Sequence, residues 1–171
     1  MIDVNVLTSG WTIAGVIASF LVAAIALGLG VSSLVQTQRL QKRERKDRLL
    51  NEIIEWAIDV ADNAALGHRG VPSKLTADIK MTDYLHNIFH RYHKALVRSD
   101  IIKEIAFTFG GELYSSFMIV YQMTLDTSKD IIEYGKRNVT IEKLEYSETQ
   151  LCKSAVNLIK EANKRKTKNI S

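Results

Sequence analysis

Proline and glycine are scarce in this 171-residue chain: Pro72 stands alone, and only nine glycines are present. So few breaks favour long helices and argue against a many-stranded β fold, which needs frequent turn residues. Cysteine is as scarce as proline. Cys152 has no second cysteine to pair with, so no internal disulfide framework can form, and a reduced cytosolic setting is the simpler expectation. The most consequential absence is local: no charged residue occurs from Trp11 to Val35.

A helix rises about 1.5 Å per residue, so this run can cross a hydrocarbon core of about 30 Å with length to spare. In lipid a helix satisfies its own backbone hydrogen bonds, which makes spanning the cheapest arrangement for such a segment. The flanks suggest a direction. Met1 to Gly10 contains Asp3 and no Lys or Arg, unlike the positive leader of a cleaved signal peptide. After the run come Arg39, Lys42, Arg43, Arg45, Lys46 and Arg48, set against only Glu44 and Asp47. Basic flanks stay in the cytoplasm, so the expected topology is a single pass through the cell membrane, with the N-terminus outside and the bulk of the chain inside. The expected segments are an outer N-terminus at 1–10, a span at 11–35, a basic juxtamembrane stalk at 36–49, a helical bundle at 50–163 and a basic tail at 164–171. That tail is expected to fray.

Charge restricts the partners. The chain holds 23 Lys and Arg against 19 Asp and Glu. The small excess sits mostly beside the apolar run and in the C-terminal tail, which suits anionic membrane lipid better than nucleic acid. Within the run, Gly15, Ser19 and Ala23 recur at four-residue spacing. Small rows of this kind let two helices approach closely in lipid, so a span-packing face and a homo-oligomer are open possibilities.

Beyond the basic cluster the pattern is helical throughout. Leu50, Ile53, Ile54, Ala57, Ile58, Ala61, Ala64 and Ala65 form a 3.6-residue stripe that stops near Gly67, and Gly67 to Ser73 reads as a turn. A second helix is expected from Lys74 to Val97, burying Met81, Leu85, Ile88, Phe89, Tyr92 and Leu96. Ser99 or Asp100 then caps a third helix through Phe109. Gly110 and Gly111 kink or divide that helix. Further helices are expected from Leu113 to about Tyr134, and after Thr140 with Ile141, Leu144, Leu151, Ala155, Ile159 and Ala162 inward. The fold class is all-α: one N-terminal transmembrane helix and a bundle of about four helices.

Candidate chemistry is thin. Asp83, His86, His90 and His93 lie along one side of a helix, and imidazoles with a carboxylate are ligand types for zinc and other transition metals. The row lies beside the expected buried stripe, however, and no Glu stands three residues before any of these histidines, as bundle metal sites commonly require. Surface or boundary histidines are the reading carried forward, with a metal site or proton-linked sensing as the alternatives. Glu52, Glu55, Asp59 and Asp62 form an acidic row, expected to face water or a partner protein. No catalytic motif is found, and no cofactor is expected. The function expected on these grounds is a membrane-anchored interaction, scaffold or signalling module at the cytosolic face, partnered by lipid and by protein. The alternatives are a metal-binding sensor or enzyme using His86, His90 and His93, and a holin-like or toxin-like membrane effector.

Overall fold

The computed structural model describes the backbone of residues 4–69, 78–136 and 138–168, and the side chains at 15, 18–65, 85–136 and 138–167. Among these residues there are four helices and no strand: α1 Val4–Arg69, α2 Asp78–Phe109, α3 Gly111–Gly135 and α4 Ile141–Lys168. The chain is all-α, as its scarcity of breakers implies. It divides into two units, Met1–Arg45 and Lys46–Ser171, with the boundary inside α1.

The first unit is helical and solvent-facing at every described side chain. Its most apolar 18-residue window has a mean hydropathy of 2.2 and no buried residue. Phe20, Leu27 and Leu29 are 74, 71 and 67 % exposed. This is one helix long and apolar enough to cross a membrane.

The second unit is organised by a seam that repeats every seven residues. Leu50, Ile53, Ala57, Val60 and Ala64 are buried on α1, and Ile88, Tyr92, Ala95, Ser99, Ile102 and Ala106 on α2. Leu113, Phe117, Val120, Thr124, Thr127 and Ile131 follow on α3, and Leu144, Glu148, Leu151, Ala155, Leu158 and Ala162 on α4. Alternating steps of three and four residues keep one face of each helix turned inward, the pattern of knobs-into-holes bundles. Neighbouring helices in the chain run antiparallel. Leu85 of α2 lies beside Gly135 of α3, while Phe107 meets Tyr114. Asp130 of α3 accepts a hydrogen bond from Ser147 of α4, and the Ser154 hydroxyl contacts the Met123 sulfur. Trp56, fully buried, ties α1 to the rest: its ring lies 5.0 Å from that of Phe117, and its indole N–H donates to the Ala95 carbonyl at 2.9 Å.

Four expectations need correction. Ser99 starts no new helix: α2 runs unbroken through it, and its hydroxyl donates to the Leu96 carbonyl one turn back. Small and buried, Ser99 fills a seam position that a capping residue type does not advertise. The stripe on α1 holds at Leu50, Ile53, Ala57, Ala61 and Ala64 but not throughout. Ile58 and Ala65 are exposed, and Trp56 and Val60 take the inward places. The C-terminal tail is helical to Lys168, where fraying was expected from 164. Of the expected turn, residues 67–69 belong to α1, and 70–73 lie outside the described residues.

Gly110 and Gly111 divide α2 from α3, with φ of 59° and 54°. Two consecutive positive φ values suit only residues without a Cβ. At Gly110, with ψ of −170°, the conformation is one that side chains other than hydrogen cannot adopt without strain. Gly110→Ala is therefore expected to cost about 1–3 kcal/mol, read as a lower denaturant midpoint with unchanged slope.

Candidate functional site

The basic cluster is the most distinct surface feature. Arg39, Lys42, Arg43, Arg45, Lys46 and Arg48 are all exposed. Arg39 to Arg45 belong to the first unit, and Lys46 and Arg48 open the second. Within the apolar stretch, Gly15, Ser19 and Ala23 are exposed. The Ser19 hydroxyl donates to the Gly15 carbonyl at 2.9 Å, so it is occupied within its own helix. A side chain added at Gly15 would meet nothing within 4 Å.

The histidine row lies on the outer side of α2. His86, His90 and His93 are exposed, and His93 stacks on Phe89 with ring centroids 6.2 Å apart. The Asp83 side chain lies outside the described residues, as does that of Met81. No group of three or more His, Cys, Asp or Glu close enough to hold a metal occurs among the described residues.

The acidic row on α1 is not left to water. Arg98 of α2 donates to the Asp59 carboxylate at 2.7 Å and reaches Glu52 at 3.7 Å. Both partners are partly exposed, so this fork aligns α1 with α2 more than it stabilises them. Glu55 and Asp62 remain exposed.

The residue that pattern reading missed is Glu148. It occupies an inward position of the α4 seam, 2 % exposed, with Oε1 buried and without a hydrogen-bond partner among the described residues. Burial pushes its carboxyl up to about 7, and the neighbouring Glu145 charge adds to the rise. Glu148 also lines a groove of about 620 Å³ whose apolar walls include Ala64 and Ala65 of α1 and Val156 of α4. Half-buried Cys152, one turn along α4, shares this groove, and Lys153 and Lys160 carry its positive charge. A carboxyl tuned near neutrality is a proton donor or acceptor in principle. Among the described lining residues, the Cys152 thiol stands one turn from it, and no histidine is present. The one signal in the sequence was a Glu at a seven-residue seam position between Leu144 and Leu151.

Comparison with protein-family models, curated proteins and solved structures finds no match for this chain.

Proposed function

We propose that the protein is a single-pass membrane-anchored helical bundle, serving as a protein-interaction or scaffold module on the cytosolic membrane face. The observation that carries this reading is the α1 apolar stretch, where Phe20, Leu21, Ile25, Leu27, Leu29 and Val31 all stand exposed. A continuous apolar surface of that extent is disfavoured in water and calls for lipid or a protein partner. The exposed basic residues beyond it support a cytosolic flank, held by anionic headgroups at about 1 kcal/mol per side chain. The seam-built bundle then supplies a rigid body that is confined near the bilayer. Exposed Val97 and Ile101 on α2 and Ile119 on α3 offer apolar contact area on that body.

Full-length protein is expected to pellet on ultracentrifugation of a detergent-free lysate, and to stay with the membrane after alkaline carbonate extraction. Recovery in the supernatant would overturn the reading. Crosslinking in native membranes then tests for partners: a ladder of chain multiples indicates a homo-oligomer, and a discrete heavier band a second protein.

A further inference from the structure

We infer that the second unit carries its own anionic-lipid contact surface, built at the end where α1 enters it from residues far apart in the chain; this rests on the membrane-anchored reading. Lys166 of α4 donates to Asn51 of α1 at 2.8 Å, which brings the last turns of α4 level with the first turn of α1 in this unit. Arg165 donates to the carbonyl of Phe109 at 2.8 Å, which fixes the same turn against the α2–α3 junction. A cavity of about 580 Å³ lined by Lys46 and Leu49, by Phe109 and by Lys164 shows the same elements meeting there.

The charge at this end favours anions. Lys46, Arg48, Lys164, Arg165 and Lys166 gather there, against the carboxylates of Asp47, Glu112 and Glu161 and, one turn up α2, Glu104. Glu161 is shared between Lys164 at 3.5 Å and Arg165 at 3.4 Å, so one carboxylate answers two cations. Lys166 is held by a neutral amide, and no carboxylate pairs with it among the described residues. Phe107, in the last turn of α2, is 69 % exposed and touches Tyr114 edge-on with centroids 5.5 Å apart. An exposed aromatic at the same end of the unit as clustered cations is the chemistry of the bilayer interface, where the ring enters the headgroup layer and the cations meet lipid phosphate.

The fold returns the C-terminal basic turn to the end of the second unit at which its chain begins, beside Lys46. For a membrane-anchored chain, anionic lipid is the polyanionic surface that this charge would meet.

The test uses full-length protein carrying Cys152→Ser and Phe107→Cys, labelled at position 107 with an environment-sensitive fluorophore. It is reconstituted in vesicles of phosphatidylcholine, with or without phosphatidylserine. With phosphatidylserine the emission should shift to the blue and be quenched by spin-labelled lipid. The same label at Tyr146→Cys, near the opposite end of α4, should show neither change. Lys164→Gln with Lys166→Gln should shift the docked fraction toward undocked by about 25-fold, at roughly fivefold per cation. Raised salt should do the same to the unaltered lysines, which keeps the test open should the double variant fold poorly. A label at 107 equally exposed in both lipids overturns the inference, as does burial that depends on protein density and not on phosphatidylserine, the signature of a second copy. Vesicle flotation separates the two readings: protein that floats with an exposed label loses only this surface, and protein that does not float loses the anchor as well.

Discussion

Trp56→Ala is expected to cost about 3–5 kcal/mol, the usual loss for a large aromatic removed from a packed interior. Its indole is fully buried, packs against Phe117 of α3 and donates to Ala95 of α2, so one truncation loosens three helices together. Native domains hold only about 5–15 kcal/mol in reserve, so the variant should melt far below the wild type or fail to assemble. Trp56→Phe separates the two contributions. It keeps most of the ring contact and loses the hydrogen bond, for a cost of about 1 kcal/mol from that bond. Chemical denaturation followed by helical circular dichroism checks both. A Trp56→Ala midpoint close to wild type would mean that the α1 seam is not packed as described.

Glu148→Leu and Glu148→Gln should act in the opposite direction. The folded carboxyl titrates near 7, against 4.5 for an unperturbed glutamate. Below 4.5 the group is neutral in folded and unfolded chains alike, and it imposes no electrostatic penalty. Between 4.5 and 7 the unfolded chain gives up its proton first, so stability falls as pH rises. Above 7 the folded state carries the whole penalty of a buried anion, about 3 kcal/mol at 1.36 kcal/mol per pH unit. The Gln variant should therefore match wild type near pH 4.5 and exceed it at pH 8. Glu148→Leu should be stabler still, because it continues the apolar seam of Leu144 and Leu151. Denaturation midpoints measured at both pH values decide the matter. A wild type whose stability relative to Glu148→Gln does not change between them would show that the carboxyl keeps its ordinary acidity.

The helices were legible in the sequence because few breakers interrupt them, and Gly110-Gly111 marked a true division. Which face turns inward was harder to read. On α1 both sides carry apolar residues, and Ile54 and Ile58 drew the expected stripe away from Trp56 and Val60. Hydrophobicity alone does not choose between two oily faces; the seven-residue step shared by all four helices does. Ser99 misled because serine serves equally as a cap and as a small interior residue, and only the neighbouring helices decide which. The basic cluster was legible because it is contiguous. Its continuation on α4 was not, since Lys166 and Asn51 are brought together only by the folding of the bundle. Glu148 escaped notice because a carboxylate in a seam breaks the very pattern used to find seams.

Apolar side chains repeating every seven residues look much alike after a displacement of one repeat, so they alone would let α4 slide lengthwise by about 10 Å. Ser99, Thr124, Thr127 and Glu148 label particular levels of the interior, and a slid helix would set each of them against the wrong neighbours. An all-leucine version of these levels should consequently resist heat better while losing its unique vertical alignment, visible as doubled amide resonances where the native bundle gives one set.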